Sequence, residues 1–186
     1  MNDRRDAKYR LISKEDAVLI IIEMQERLVA AVADRDGVIQ NNVRLARFSK
    51  LMGIPVIIAE QFKLGDTIPE ICNELMDIEP VVRSEFNCFG SAAFRERLER
   101  LKRHTLIITG LEAHICVAQT ALYGLSDYKV HVVGDAVSSR SARNVETALN
   151  RMSRAGVTIT STEMVIYELL EKAGTDVFKE VLKLVK

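Results

Sequence analysis

Short, unbroken apolar runs separated by longer segments of helical period set the tightest limit on what this chain can fold into. The runs are Ala17–Ile22 (AVLIII), 55–59 (PVIIA), 81–82 (VV, with Arg83 at its end), 105–109 (TLIIT), 130–133 (VHVV) and 157–160 (VTIT). Most are continuous rather than alternating, which is how strands buried on both faces read. Between them, residues 38–52, 91–103, 116–125, 141–155 and 163–173 carry apolar residues at helical spacing. Three of these segments stop at Gly53, Gly156 and Gly174, as helices commonly do. Residues 175–186 read as a terminal amphipathic helix with Val177, Phe178, Val181, Leu182 and Val185 on one side. Strand and helix in alternation imply a three-layer α/β/α fold around a parallel sheet, with right-handed crossovers.

A length of 186 residues suits one domain spanning 1–186. The 26 basic and 26 acidic side chains cancel, so the charge footprint of a dedicated nucleic-acid binder is missing. Cys72, Cys88 and Cys116 are odd in number and irregularly spaced, which fits neither a disulfide framework nor a zinc pattern. The polar start MNDRRDAKYRLISKED lacks the apolar run of a secretory signal, and no stretch approaches the ~20 apolar residues of a membrane helix. The expectation is a cytoplasmic protein with free thiols, and neither nucleic acid nor membrane as partner.

Ligands of such sheets bind beyond the carboxyl ends of the strands, so the tips carry the functional information. Run one ends in Glu23, a carboxylate directly after an apolar strand. Run three leads through Arg83 into SEFNCFG, which places a permanent cation at a tip. Run four passes through Gly110 to Cys116, in what reads as the first turn of a helix. There the unpaired N–H groups and positive dipole end are expected to lower the thiol pKa. Each residue alone also suits an ordinary structural role. Jointly they supply a nucleophile, a base and a positive charge, the parts that covalent catalysis needs. The tip of run two, Glu60-Gln61-Phe62-Lys63, has no paired metal-ligand spacing. His104, His114 and His131 are scattered, so no metal is expected. Neither GxGxxG nor GxxxxGK[ST] occurs, which argues against nucleotide binding.

The segment TGLEAHICVAQTAL, followed by VVGDAVSSRSARNVETAL and RMSRAGVTITSTE, makes the chain resemble the isochorismatase-like cysteine hydrolases. AVLIIIEMQERL, AEQFKLGDTIPEI and VVRSEFNCFG extend the resemblance over nearly the whole length. It implies a doubly wound six-stranded parallel sheet in the order 3-2-1-4-5-6, and an Asp/Lys/Cys triad on strand tips one, three and four. Carried onto this chain, the cysteine is Cys116, the aspartate position is Glu23 and the lysine position is Arg83. Two of the three types depart from the family pattern while keeping their charge.

The resemblance further implies a non-proline cis peptide, here joining Leu111 to Glu112. It would aim the N–H groups of Glu112 and Cys116 into an oxyanion hole. Gln61, Phe62, Phe86 and Phe89 are expected to line a small, partly apolar substrate pocket. No cofactor is implied, and homo-oligomers from dimers upward are. Isochorismate itself is disfavoured, because members that cleave it generally lack the cysteine. Nicotinamide is disfavoured because the metal-binding Asp and His after strand two are absent. Two readings remain: hydrolysis of a small amide through a Cys acyl-enzyme, or a catalytically impaired member serving as an oligomeric ligand-binding or scaffold protein.

Overall fold

In a computed structural model, which describes residues 11–185, six parallel strands form one sheet. They are β1 (Ala17–Ile22), β2 (Val56–Gln61), β3 (Val81–Arg83), β4 (Thr105–Leu111), β5 (Lys129–Ser138) and β6 (Thr158–Thr160). Their order is β3-β2-β1-β4-β5-β6, the doubly wound arrangement that the resemblance implied. The direction of winding reverses at β1 and β4, so their tips open the crevice where ligands of this architecture sit. The helices are α1 (Glu26–Val29), α2 (Arg35–Met52), α3 (Pro69–Cys72), α4 (Ala92–Leu101), α5 (Ala118–Gly124), α6 (Ala142–Ala155), α7 (Thr162–Leu170) and α8 (Asp176–Val185).

β1 shows why its sequence is an unbroken apolar run. Leu19 and Ile21 enter the core under α2, α7 and α8, while Val18, Ile20 and Ile22 enter the opposite core under α4, α5 and α6. All six residues are buried. Each large aliphatic side chain so buried contributes about 1.5–3 kcal/mol, and a polar residue on either face would forfeit it. α8 uses its apolar side within the chain: Val181 is buried, and Phe178, Leu184 and Val185 pack on the core beside α2. The amphipathic helix read at 175–186 thus turns its apolar side to its own chain. Lys186, the last residue of that reading, lies outside the described residues, as does most of the polar start at 1–10.

The close approach of β1 and β4 depends on one glycine. Gly110 pairs with Ile22 in register and has φ +106°, and a Cβ there would lie 1.9 Å from the Ile22 carbonyl oxygen. Replacing Gly110 with alanine combines a disfavoured φ with a backbone clash. The expected cost is about 3 kcal/mol or more, read as a shift in the denaturant midpoint with an unchanged m-value.

Candidate active site

Each member of the site is delivered by a strand tip. Glu23 follows β1 directly and has φ 53°, a left-handed conformation that costs a non-glycine residue about 1–3 kcal/mol. Its N–H donates to the Ala59 carbonyl (2.8 Å), which ties the bend to β2. Arg83 closes β3. Cys116 lies in a wide π turn (Ala113–Val117) between β4 and α5, rather than in the first turn of an α-helix. In that turn the Glu112 carbonyl accepts the N–H groups of both Ile115 and Val117. A turn this wide leaves N–H groups at its start without an intrahelical acceptor.

These three residues, far apart in sequence, are buried together: Glu23, Arg83 and Cys116 are 2, 3 and 3% exposed. Arg83 Nη2 donates to Glu23 Oε1 at 2.5 Å, a short charge-assisted bond. Its Nη1 reaches Gln61 Oε1 (3.1 Å) and the Glu85 carbonyl. Its buried Nε has no hydrogen-bond partner among the described residues. Gln61 in turn donates to the Ser84 carbonyl, and its own N–H donates to Gln25 Oε1, so the β2 tip holds the arginine in place.

The electrostatics differ from the reading of a lone thiol at a helix end. Burial pushes the Cys116 thiol up, the Glu23 carboxylate beside it pushes the same way, and Arg83 only partly offsets them. The dipole of a short helix is a fraction of a charge, while Glu23 is a full one. Burial also raises Glu23, against lowering by Arg83 and by hydrogen bonding with Cys116. Cys116 therefore rests as a thiol beside Glu23, and the expectation of a low-pKa thiolate is corrected. Alkylation of Cys116 by iodoacetamide should be slow at neutral pH. It should keep rising with pH after a free thiol, with its pKa of about 8.5, has levelled off. A rate that plateaus below about pH 8 would contradict this assignment.

Glu23 and Cys116 open on a pocket of about 310 Å³, with Arg83 behind its wall. Glu23, Gln61, Phe86, Glu112 and Cys116 line it, together with Arg27, Leu28, Ala31, Leu64, Ile115 and Arg140. Phe62 and Phe89, both expected here, stand elsewhere. Phe62 is exposed, with Lys63 Nζ 5.3 Å from its ring centroid. Phe89 turns into the core, where its ring meets those of Phe94, Tyr123 and Tyr128 at 5.2–5.7 Å. Phe89 lies in a 3₁₀ turn over Cys88–Gly90, three residues after the pocket-lining Phe86.

The Leu111–Glu112 bond is trans, as is every peptide bond among the described residues, which corrects the expected cis peptide. A non-proline cis bond costs about 3–4 kcal/mol. Here the chain turns instead through positive φ at Gly110 and the π turn. Among the described residues no cluster of three His, Cys, Asp or Glu has metal-site geometry, and no helix is long and apolar enough to cross a membrane.

Sequence reasoning missed Arg27, Arg140 and the side chain of Glu112. Arg140 follows the tip of β5, so the tip rule applied to SSR at 138–140 would have found it. Arg140 Nε donates to Glu112 Oε1 at 2.8 Å.

Strand order, the crevice at β1 and β4 and the tip residues together define a doubly wound α/β protein of hydrolase type. A family profile described as an isochorismatase domain matches residues 17–164, and the chain belongs to the isochorismatase family. A relative named secreted isochorismatase effector Isc1, from Phytophthora sojae, is 33% identical over 182 residues, covering 91% of this chain and 84% of its own. A solved structure named MAR1 ribonuclease, from Caenorhabditis elegans, superposes with a TM-score of 0.88 at 31% identity, covering 94% and 92% of the two chains. The YcaC gene product of Escherichia coli, described as an octameric hydrolase of unknown specificity, superposes with a TM-score of 0.89 at 24% identity, covering 95% and 91%.

Proposed function

We propose that this protein hydrolyses a small amide through an acyl-enzyme on Cys116. The observation that carries the reading is a buried thiol and carboxylate at the wall of one small pocket, with a buried guanidinium bonded to the carboxylate. Membership of a hydrolase family supports it. Glu23 takes the Cys116 proton as sulfur attacks the carbonyl carbon, so charge separation arises only during reaction. A carboxylate whose pKa is raised by burial is a stronger base for that step. Arg83 holds Glu23 in line and offsets negative charge at the sulfur.

The tetrahedral oxyanion rests on the Cys116 amide in the π turn, since the trans Leu111–Glu112 bond removes the cis geometry expected to aim the Glu112 N–H beside it. When the C–N bond breaks, Glu23 returns its proton to the leaving nitrogen. Water then gives a proton to Glu23 and its oxygen attacks the thioester. Collapse releases a carboxylic acid, and sulfur regains the proton. Phe86, Leu64 and Ile115 supply the apolar walls. Assembly into a homo-oligomer belongs to the same reading, which the octameric neighbour supports.

The test is ammonia release from a panel of small primary amides, with intact-mass detection of an acyl adduct on Cys116 after rapid acid quench. Ammonia released at an undiminished rate by the Cys116→Ala variant would remove the mechanism. No release from any amide, with an unmodified thiol throughout, would favour a non-catalytic ligand-binding role.

A further inference from the structure

The segment after β1 supplies more than a carboxylate. Ile22 is the last residue of β1 to pair with β2, opposite Ala59, and the left-handed turn at Glu23 then bends the chain away from the sheet. Gln61, two residues beyond Ala59, therefore has an N–H and a carbonyl on a side that no strand covers. The side chain of Gln25 takes the place of the strand. Its Oε1 accepts the Gln61 N–H at 2.8 Å, and its Nε2 donates to the Gln61 carbonyl at 3.0 Å and to the Gly65 carbonyl. The amide is buried, with its oxygen and both its hydrogens in use. Gln61, fixed in this way, presents Oε1 to Arg83 Nη1 at 3.1 Å. Glu23 and Gln25, two residues apart, thus bear on one guanidinium, the first directly and the second through Gln61.

We propose that Gln25 is a positioning residue for the cation of the site: it fixes the Gln61 backbone so that the Gln61 side chain holds Arg83 on Glu23. This role rests on Glu23, Arg83 and Cys116 being the working site. Gln25 stands outside the pocket lining, so it acts on the thiol through Arg83 and not by contact. A neutral amide suits the task. It supplies an acceptor and two donors at once without setting a second anion against Glu23 for the arginine. Methionine would fill the same space and leave the Gln61 N–H and two carbonyls without these bonds. Gln25 also ties the loop at Gly65, and its backbone bridges Thr67, so a purely structural role in that loop is the alternative to be separated.

The experiment needs no substrate: it reads the second-order rate of Cys116 alkylation by iodoacetamide at about pH 9.5, with the modified residue located by peptide mass. Arg83 lowers the thiol pKa against burial and Glu23, so a displaced arginine should slow alkylation, by about tenfold for each pKa unit. Gln61→Met, at a half-buried position, cuts the side-chain link and keeps the backbone that Gln25 holds. It is expected to slow alkylation about tenfold. Gln25→Met should slow it by a similar factor alone, and by less than about twofold when added to Gln61→Met, because the route to Arg83 is already cut. A Gln25→Met effect that persists undiminished in the Gln61→Met background would assign Gln25 to the loop and overturn the proposal. An unchanged rate in Gln61→Met, or in folded Gln25→Met, would overturn it too. Gln25→Asn, an amide one methylene short, replaces Gln25→Met if that variant does not fold, with the same outcomes expected. These rate changes without ammonia release from any amide would sink the acyl-enzyme reading alone. Cys116-dependent ammonia release, with alkylation unmoved by Gln61→Met, would sink this inference alone.

Discussion

Replacing Arg83 with methionine is expected to destabilise the fold by about 3–5 kcal/mol at neutral pH, measured by denaturant unfolding. The side chain is buried, and its nearest charged partner is a carboxylate 2.5 Å away that is itself buried. Removing the cation leaves Glu23 charged, desolvated and close enough to Glu112 for like-charge repulsion to raise it further. The loss should therefore depend on pH with a definite sign. In the variant, the folded pKa of Glu23 lies well above that of the unfolded carboxyl, about 4.3. The folded state then binds the proton more tightly, so the destabilisation shrinks as pH falls through the folded pKa toward the unfolded one. An identical loss at pH 5 and pH 7.5 would show that Arg83 contributes packing rather than charge. Arg83→Lys should fall between the two, because one ammonium cannot reach Glu23, Gln61 and the Glu85 carbonyl together.

That fork explains how a glutamate and an arginine occupy positions where the resemblance has an aspartate and a lysine. Glutamate is one methylene longer, which by itself would push the carboxylate past the position a shorter acid occupies. Here the strand end bends into the left-handed region at Glu23, and one nitrogen of a planar guanidinium holds the carboxylate. The other terminal nitrogen anchors the arginine to the β2 tip through Gln61. Both departures keep the charge pattern at the sulfur, where the anion and the cation each act on the thiol directly.

The strands are legible in the sequence because two-sided burial leaves an unmistakable apolar run, and β1 matches its run residue for residue. The run at 130–133 covers four residues of β5, which has ten, because Gly134 and Asp135 interrupt the apolar pattern. The Asp135 carboxylate accepts the Thr162 N–H and hydroxyl at the start of α7, which accounts for a polar residue within a strand. That Glu23, Arg83 and Cys116 come together is legible for the same reason as the strands, since tips follow runs. The state of the thiol is not. A dipole argument sees the turn that holds Cys116, whereas the raised pKa comes from burial and from a residue 93 positions away in sequence. Phe62 and Phe89 escape for a related reason: an aromatic near a tip points into the cleft, the core or solvent according to local turns that composition does not encode.

Replacing Cys116 with alanine is expected to lower amide hydrolysis by on the order of 10⁴-fold or more, because nucleophile and base act as a unit and neither replaces the other. That loss alone does not distinguish a thiolate formed in advance from one formed during attack, and Glu23→Gln does. The neutral amide removes the anion that helps keep the proton on sulfur, while Arg83 retains an acceptor. The thiol pKa should fall, so Cys116 alkylation at neutral pH should speed up. Amide hydrolysis in the same variant should slow by about 10²–10⁴-fold, since no base takes the proton or returns it to the leaving nitrogen. The two readouts move in opposite directions only if Glu23 serves as a base and opposes thiolate formation at rest. If alkylation and hydrolysis both slow in Glu23→Gln, the carboxylate is needed to form a resting thiolate, and proton transfer precedes attack instead of accompanying it.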